Sequence, residues 1–276
     1  MALVREKDSK RLHIKSKLMG ESLMRKTFME GLEYAETMRM LPDASVMKIG
    51  GQSIIDTGSR SILPIIKEIA ENAGEHKMII TTGGGTRSRH VYAIALELGM
   101  PTGIITTLGH AASEQNAIMI STLLTPYGGI KTSRSDLPEL GSYLRQGWLP
   151  VMNGMPPYGY YEPPPEEGRL PANRTDVGTF LLAEVTGAKQ CIMIKDVDGL
   201  FSDNPKNNPE VEFIPKIGAK ELIERDLEDV VVERKMVELL CRTQNVKQVQ
   251  IINGLKEGNI SKALNGEHVG TIIYQD

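Results

Sequence analysis

The chain alternates short, nearly continuous apolar runs with stretches of helical periodicity, and this alternation constrains its fold more than any other feature. The apolar runs predict strands at Ser45–Ile49, Lys77–Thr81, Gly103–Thr106, Leu149–Met152, Gln190–Ile194, Gln248–Ile252 and Thr271–Tyr274. Helical patterns cover residues 61–73, 88–99, 113–125, 176–187, 234–243 and 258–265. Apolar runs without polar alternation are typical of strands covered on both faces. We therefore predict an α/β fold, a three-layer αβα sandwich with a mainly parallel central sheet.

Sheets of this kind bind ligands at the carboxyl ends of their strands, so the loops that follow the strands are the candidate sites. The first strand runs into Lys48-Ile49-Gly50-Gly51-Gln52. Two adjacent glycines let the backbone turn tightly and approach an anion, and a helix that starts just afterwards would favour phosphate there. Lys48 can supply positive charge to phosphate oxygens. A Gly-Gly pair after a strand is also common in simple turns, so this loop alone leaves both interpretations open.

The second strand ends in Thr81-Thr82-Gly83-Gly84-Gly85, followed by Arg87 and Arg89. Three consecutive glycines are costly in backbone entropy, which disfavours a purely structural role. The two arginines fall in what should be the first turn of a helix, where cations oppose the helix dipole, so we expect them to face an anion. Phosphoryl transfer requires two facing anion sites, one for the donor and one for the acceptor.

Two further loops carry charged residues. Arg174-Thr175-Asp176 begins a predicted helix, so Asp176 is either an N-cap residue or an ionised acceptor that holds a catalytic lysine in place. Lys195-Asp196-Val197-Asp198-Gly199-Leu200-Phe201-Ser202-Asp203-Asn204-Pro205 directly follows a buried strand. Its Asp-Gly and Asn-Pro pairs are turn signals by themselves. Its carboxylates, together with Lys195, are also compatible with a nucleotide–Mg²⁺ site.

The connection over residues 153–174 is unusually long and holds six prolines and three tyrosines. It shows neither a helical nor a strand period, and its prolines disfavour both structures. A loop of this length in a compact domain is usually functional or disordered.

Residues 1–40 differ from the rest of the chain. Apolar residues between Leu18 and Leu32 recur at helical spacing among charged residues, which predicts an amphipathic helix. Leu41-Pro42-Asp43 then ends it. We therefore predict an N-terminal helical extension over residues 1–40 and one domain over residues 41–276. The apolar stripe of the extension packs either on its own domain or on a neighbouring subunit.

The composition narrows the classes of partner and the location. A net charge of −3 gives no reason to expect nucleic acid or an acidic membrane surface as a partner. No apolar run approaches the roughly 20 residues of a membrane helix, and the basic N-terminus lacks the apolar core of a secretory signal. Cys191 and Cys241 lie far apart and are expected to be reduced thiols, which indicates the cytoplasm.

Five sequence elements resemble motifs of the amino-acid-kinase superfamily, which includes uridylate and acetylglutamate kinases, and they occur in the same order along the chain. They are KIGG, GGG-x₃-R, TD, KDVDGLFSDNP and GN…GEHVGT, within about residues 43–274. The resemblance implies an ATP–Mg²⁺ site with a phosphate-binding side, an acceptor side, and an aspartate that organises the lysines. The implied catalytic residues are Lys48, Asp176 and Lys195. The implied ATP-binding residues are Lys48, Gly50, Gly51, Gln52, Gly84, Gly85, Arg89, Lys195, Asp196, Asp198, Gly199, Phe201, Asn204 and Pro205, with Gly84, Gly85 and Arg89 on the acceptor side.

Two regions depart from uridylate kinases and are similar to the molybdenum storage proteins of the same superfamily. A Pro/Tyr segment follows Asn153-Gly154 where the kinase has a short turn, and Ser113-Glu114-Gln115-Asn116 stands where the kinase presents an aspartate to the ribose. Residues 41–53 are similar almost residue for residue to the beta-type subunits. This resemblance implies a cage-like hexamer that uses ATP to accumulate molybdate or tungstate as oxoanion clusters. The assembly is either a homo-oligomer or a hetero-oligomer with an alpha-type paralogue.

The alpha-type subunits carry histidines after Pro-Pro-Tyr, whereas this chain has Gly159-Tyr160-Tyr161-Glu162 there. Its five histidines form no ligand-spaced group. Three hypotheses therefore stay open: ATP-dependent oxometalate storage, a uridylate-kinase-like phosphotransferase acting on a nucleotide monophosphate or small acid, and a regulatory or structural subunit that binds nucleotide without turnover. A Pro/Tyr loop that closed over the acceptor cavity would disfavour the kinase, whereas a loop that lined a cavity between subunits would favour storage.

Overall fold

The computed structural model of the protein describes residues 3–5, 12–14, 35–203 and 211–276, and the chain divides into two units, residues 1–37 and 38–276. In the first unit, strands β1 (Leu3–Arg5) and β2 (Leu12–Ile14) pair antiparallel, with Leu3 opposite Ile14. The amphipathic helix predicted between Leu18 and Leu32 lies outside the described residues.

The second unit is built on one sheet flanked by helices. Its strands are β3 (Ala44–Ile49), β4 (Lys77–Thr82), β5 (Gly129–Lys131), β6 (Leu149–Asn153), β7 (Gln190–Lys195), β8 (Leu200–Phe201), β9 (Phe213–Ile214), β10 (Lys216–Gly218), β11 (Gln248–Asn253) and β12 (Thr271–Tyr274). Its α-helices are α1 (Ser59–Asn72), α2 (Gly85–Glu97), α3 (Thr102–Leu124), α4 (Leu140–Arg145), α5 (Thr175–Thr186), α6 (Ala219–Arg225), α7 (Arg234–Leu240) and α8 (Asn259–Leu264). Short 3₁₀ helices lie at Ile55–Thr57, Thr125–Tyr127, Arg134–Glu139 and Gly159–Tyr161.

Eight strands form the central sheet in the order β10-β12-β11-β7-β3-β4-β6-β5. All neighbours are parallel except β11 and β12, which are antiparallel. Strands β8 and β9 pair antiparallel as a separate two-stranded ribbon. The mainly parallel α/β sandwich predicted from the alternating pattern is confirmed.

Each face of the sheet is covered by its own apolar core, as expected for strands without polar alternation. On one face the sheet packs against residues of α4, α5, α6 and α7. On the other it packs against residues of α1, α3 and α8. Helix α2 lies outside this second layer, where Tyr92 and Ala95 pack with Ile105 of α3.

The strand predicted at Gly103–Thr106 is wrong, because these residues form the first turns of α3, which has 23 residues and contains the helix predicted at 113–125. A four-residue apolar run does not distinguish a strand from a buried helical segment. The threonine hydroxyls also satisfy helical carbonyls: Thr106 Oγ1 donates to Thr102 O at 3.0 Å and Thr107 Oγ1 to Gly103 O at 2.8 Å. Among the described helices, none combines the length and apolarity that a membrane crossing needs.

The long Pro/Tyr loop has one short 3₁₀ turn, Gly159–Tyr161, and is otherwise irregular. It lies along the first turns of α3: Thr102 Oγ1 donates to Arg169 O at 3.0 Å, and a Cβ on Gly103 would overlap the carbonyl of Tyr160. At its other side, Arg134 Nη1 donates to Pro157 O at 2.9 Å. The loop is therefore held against the protein at several points.

Glu162 is a buried carboxyl within this loop, and only 6% of its surface is exposed. Its Oε1 accepts hydrogen bonds from Asn173 N at 3.1 Å and Asn173 Nδ2 at 2.9 Å. Its Oε2 is buried and has no hydrogen-bond partner among the described residues. Burial raises the pKa of Glu162, and the Asn173 hydrogen bonds only partly oppose this effect.

We expect Glu162→Gln to be more stable than the wild type at neutral and alkaline pH. A carboxyl with a raised folded-state pKa contributes stability that is fully present below its unfolded pKa, about 4.3, and is lost as the pH rises through the folded pKa. Glutamine stays neutral and keeps an oxygen for Asn173, so the gain should reach about 1 kcal/mol. Calorimetric unfolding of both proteins at acid and alkaline pH measures it. Glu167→Gln, at an exposed position of the same loop, is the control. Parallel pH profiles for wild type and Glu162→Gln would contradict the expectation.

Candidate functional site

A cleft of about 640 Å³ opens at the carboxyl ends of β3, β4 and β7. Strand β3 lies between β4, which follows it in the chain, and β7, which comes later. The strand order thus reverses direction at β3, and such switch points are where open α/β sheets bind ligands. The predicted residues that line the cleft are Lys48, Gly50, Gly51, Gln52, Gly84, Gly85, Arg89, Asp176, Lys195, Asp196, Gly199 and Phe201.

The two-residue repeat of the strands aims both lysines at the same layer of helices. On β3, Ala44 and Val46 pack in the core that contains α5, and Lys48 continues this alternation. On β7, Cys191 and Met193 pack in the same core, and Lys195 follows. Each lysine is the last or nearly the last residue of its strand, so its side chain reaches past the core to the cleft.

Helix α5 brings Asp176 to these lysines. Phe180 and Ala183, four and seven residues after Asp176, are fully buried, so Asp176 lies on the inward face of the helix. Thr179 Oγ1 lies 2.6 Å from Thr81 Oγ1 of β4 and fixes the first turns of α5 over the sheet.

Asp176 is the centre of a buried charge cluster. Its Oδ1 pairs with Lys48 Nζ and lies 3.3 Å from Lys195 Nζ. Its Oδ2 lies 3.4 Å from Lys195 Nζ and accepts a hydrogen bond of 3.1 Å from the backbone N–H of Glu233. Burial opposes ionisation of this carboxyl, but the charges of Lys195 and Lys48 outweigh burial and hold its pKa well below the usual range.

These contacts determine what Asp176 can do. Both carboxylate oxygens already accept hydrogen bonds from charged or backbone donors, and a low pKa makes the group a poor proton acceptor. Asp176 is therefore placed to orient the two ammonium groups. Burial lowers the pKa of Lys195, and the Asp176 charge opposes that shift.

The two glycine loops pack backbone against backbone beside this cluster. Gly50 N donates to Ile194 O at 3.0 Å, and Gly83 N donates to Ile49 O at 3.0 Å, which ties each loop to a neighbouring strand. A Cβ on Gly51 would overlap the backbone of Gly85, which itself has φ +71. Glycine is required here because the two chains approach too closely for any side chain. Because the two glycine loops lie so close together, this part of the cleft is lined by glycines and by Lys48.

Gly51→Ala should force the two loops apart, because the atoms in its way belong to the backbone. We expect a loss of about 1–3 kcal/mol in the free energy of unfolding, as for other overpacked sites. The sequence predicts that these loops bind phosphate, so on that prediction ATP affinity should fall as well. Gly74→Ala is the matched control, because a Cβ there meets no atom within 4 Å. Urea unfolding and calorimetric ATP titration of both variants provide the measurement. Equal behaviour of the two variants would contradict the close packing described above.

Arg87 and Arg89 do not share one function, contrary to the expectation from the sequence that both face an anion. Arg87 turns away from the cleft to Gln115 Oε1 at 3.1 Å and to Asn116 Oδ1 of α3. The start of α2 is instead capped by Asp56, whose Oδ2 accepts a hydrogen bond of 2.5 Å from Thr86 N. This internal carboxylate compensates the helix dipole. Arg89 lines the cleft as predicted.

Three predicted nucleotide-binding residues are not placed in the cleft. Asp198 faces a separate cavity of about 550 Å³. There its carboxylate accepts hydrogen bonds from Asn253 Nδ2 and Lys256 Nζ, both at 2.9 Å, and these bonds lower its pKa. Asn204 and Pro205 lie outside the described residues. Phe201 lines both cavities.

Several residues that line the cleft were not predicted from the sequence. Tyr92 stands three residues after Arg89, on the same face of α2, so helical spacing could have indicated it. Burial raises the pKa of Tyr92 to about 12 although the nearby Arg174 charge opposes the shift. Its hydroxyl therefore stays protonated at neutral pH. Asp229, Val231 and Glu233 come from the segment before and at the start of α7, where no local pattern points to the cleft.

Comparison with known proteins agrees with this geometry. The Amino acid kinase family matches residues 43–253. The chain is 43% identical to the molybdenum storage protein subunit beta of Azotobacter vinelandii over 256 residues, which cover 93% of this chain and 95% of that one. It is 27% identical to the uridylate kinase of Methanothermobacter thermautotrophicus over 84% of this chain and 99% of that one.

Among solved structures, the uridylate kinase of Archaeoglobus fulgidus superposes with a TM-score of 0.65 at 26% identity, covering 83% of this chain and 99% of that chain. The relatives of this chain thus share both its sequence and its architecture. In this chain, that architecture includes the strand order, the cleft at the switch point, and the two lysines held by one aspartate. The chain belongs to the amino acid kinase family.

Proposed function

We propose that the chain is the ATP-binding, beta-type subunit of a storage assembly that uses ATP to accumulate molybdate or tungstate as oxoanion clusters. The observation that carries this proposal is the likeness to the molybdenum storage subunit, which spans nearly the whole of both chains at a much higher identity than the uridylate kinase shows. ATP then occupies the cleft, and the oxoanion takes the place of a nucleotide acceptor.

The acceptor side of the protein supports this proposal. Glu114 of α3 stands where a uridylate kinase is expected to present an aspartate to the ribose. In this chain the Glu114 carboxylate pairs with Lys131 and accepts a hydrogen bond of 2.9 Å from Asn153 Nδ2. The carboxylate already pairs with two internal partners, which differs from an aspartate presented to a ribose.

The cleft has the chemistry that a nucleotide triphosphate requires. The ammonium groups of Lys48 and Lys195, oriented by Asp176, would contact the phosphate oxygens, and the paired glycine loops would admit the phosphate chain. Asp196, Asp203 and Asp229 line the same cleft, but among the described residues no three carboxylate, histidine or cysteine side chains are grouped to hold a metal ion. A Mg²⁺ would therefore take one or two of these carboxylates together with phosphate oxygens and water. A bound Mg²⁺ would neutralise phosphate charge beside the lysines.

We further propose a hexameric assembly in the cytoplasm, formed with an alpha-type paralogue or by copies of this chain. Helix α3 exposes Ile118, Met119 and Leu123, with 51%, 40% and 37% of their surfaces accessible. Exposed apolar clusters of this kind mark protein–protein contacts. Cys191 and Cys241 are free thiols, which is the usual state in reducing compartments.

Metal retention by the assembly as purified from cells tests the proposed function. The protein is incubated with Mg-ATP and molybdate, or with Mg-ATP and tungstate, then desalted, and the metal bound per chain is measured. We expect many metal atoms per chain with ATP, and few without ATP or with a non-hydrolysable analogue. Equal retention in all three conditions, or no retention in any, would rule out ATP-dependent storage.

A uridylate-kinase-like phosphotransferase is the second candidate, and one observation favours it. The Pro/Tyr loop does not close over the cleft: residues 155–173, all described, contribute no lining residue. A nucleotide monophosphate therefore meets no barrier from this loop. Incubation with Mg-ATP and UMP decides between the two candidates, because storage predicts no UDP, whereas UMP-dependent formation of UDP would establish the kinase.

A further inference from the structure

Arg174 lines the cleft directly before Thr175 and Asp176, at the start of α5. Its side chain is 37% exposed, but its Nε is buried and has no hydrogen-bond partner. No side-chain N–H of Arg174 donates a hydrogen bond to any residue in the parts of the chain that the structure describes. An arginine carries five donors in a planar fork that suits tetrahedral oxoanions. Arg174 thus lines the cleft while no described residue accepts a hydrogen bond from its side chain.

Glu233 balances the charge of Arg174 without occupying its donors. Glu233 Oε1 lies 3.7 Å from Arg174 Nε, which is too long for a hydrogen bond. Glu233 Oε2 instead accepts a hydrogen bond of 3.1 Å from Val177 N in the first turn of α5. The backbone N–H of Glu233 in turn donates to Asp176 Oδ2 at 3.1 Å. This pair of bonds fixes Glu233, and with it the electrostatic environment of Arg174, relative to the charge cluster.

Other arginines near the cleft show that this arrangement is specific. Arg87 donates hydrogen bonds to Gln115 and Asn116, whereas Arg89 lines the cleft. Tyr92 also lines the cleft and keeps its hydroxyl proton, because burial raises its pKa to about 12. The same cleft is therefore lined by Arg89, Arg174 and Tyr92 as well as by Lys48 and Lys195.

We infer that Arg174 is the anchor for the oxoanion at the acceptor end of the cleft, with Glu233 as the nearby carboxylate whose charge competes with the incoming anion. The inference rests on the proposed function for its substrate class and extends it to a residue. The shared chemistry is a tetrahedral oxoanion, which is either a free metalate or the phosphate of a nucleotide monophosphate. Both would receive the guanidinium fork of Arg174 in the same way.

Calorimetric titration of the intact assembly with tungstate, at mildly alkaline pH where tungstate is a monomer, tests the anchor. Arg174→Met should weaken tungstate binding roughly ten- to hundredfold, as expected for the loss of charge-assisted hydrogen bonds. Arg174→Lys should recover part of the loss, since it restores the charge but not the fork. Arg87→Met is the matched control and should bind as the wild type does. A parallel titration with UMP identifies the source of the oxoanion, because only the true ligand should bind tightly to the wild type.

Two readouts separate an anchor from a residue that only stabilises the start of α5. ATP affinity should fall much less than tungstate affinity in Arg174→Met, whereas a structural disturbance would shift Asp176 and weaken the binding of both ligands alike. Glu233→Gln removes the competing charge but keeps an acceptor for Val177 N, so it should bind tungstate a few-fold more tightly. If Arg174 and Glu233 only stabilised the fold, both substitutions would weaken tungstate binding.

The outcomes distinguish this inference from the function on which it rests. If neither tungstate nor UMP binds the wild type, the proposed function fails together with the anchor. If the wild type binds tungstate and Arg174→Met binds it equally well, only the anchor is overturned. Weaker or unchanged tungstate binding in Glu233→Gln would overturn the competition between the Glu233 charge and the bound anion.

Discussion

Asp176→Ala lowers the free energy of unfolding by about 3–5 kcal/mol, the range expected when one partner of a buried ion pair is removed. The side chains of Lys48 and Lys195 are only 5% and 12% exposed. Without Asp176 the two ammonium groups face each other with no carboxylate between them. Urea unfolding measures the change, provided that the slope with denaturant stays constant.

Asp43→Ala is the matched control for this prediction. Asp43 also pairs with a lysine, Lys77, at 2.5 Å, but the two side chains are 59% and 39% exposed. Pairs in this setting contribute about 0–1 kcal/mol. Should Asp176→Ala cost no more than Asp43→Ala, the charge cluster would not stabilise the fold as described.

The pH dependence of the free energy of unfolding also tests whether Asp176 stabilises the fold. A carboxyl whose folded-state pKa is depressed contributes stability that is present above its unfolded pKa, about 3.9, and is lost as the pH falls through the folded value. The low folded pKa of Asp176 therefore makes the wild type lose stability in strong acid. Asp176→Ala should lack that part of the loss.

Lys48→Met should nearly abolish ATP turnover. Lys48 is 4% exposed, lies near the end of β3, pairs with Asp176 and lines the cleft together with the glycine loops. Removing a positioned charge that stabilises a transition state typically costs about 10²–10³ in kcat. ATP affinity should fall by roughly tenfold or more, as for a lost charge-assisted contact. Calorimetric binding and phosphate release measure the two effects.

Two other lysine variants serve as controls for the effect of Lys48→Met on ATP binding and turnover. Lys77→Met removes a lysine at the opposite end of the neighbouring strand β4 and should leave ATP binding intact. Lys48→Arg keeps a charge but changes its shape and reach, so it should retain more ATP affinity than Lys48→Met does. Unchanged ATP affinity and hydrolysis in Lys48→Met would show that the phosphate chain does not bind at this strand end.

The sequence was sufficient for the features that depend on local periodicity. Alternation of apolar runs and helical patterns predicted the layered sheet, because each strand is covered on both faces. Lys48 and Lys195 could be identified since each follows a buried strand, and parallel strands bring their carboxyl ends to one edge. Asp176 was recognised as an N-cap or a partner for lysine, and the structure shows that its carboxylate pairs with both lysines.

The features that could not be predicted depend on contacts between segments that are distant in the sequence. Glu233 lies 57 residues after Asp176, and nothing in its local sequence distinguishes it from a surface glutamate. Arg87 and Arg89 are two residues apart, so they leave α2 in different directions, and only the position of α3 decides that Arg87 meets Asn116. Asp198 looked like a nucleotide contact because of its neighbours, but Asn253 and Lys256 hold it at another cavity.

The same limit explains the error at Gly103–Thr106. Its short apolar run satisfied the pattern for a strand, but the tertiary contacts of α3 with β6, β5 and α2 favour one continuous helix. A run of four residues contains too little periodicity to decide between the two structures.

The central claim is that one cleft couples ATP to the accumulation of oxoanions, and metal retention by Lys48→Met tests it most directly. Wild-type and variant assemblies are loaded side by side with molybdate and saturating Mg-ATP, then desalted and assayed for molybdenum per chain. The account predicts abundant molybdenum in the wild type and a level near the ATP-free control in Lys48→Met. Equal molybdenum in both proteins would contradict the account, because accumulation would then proceed without the phosphate site of this cleft.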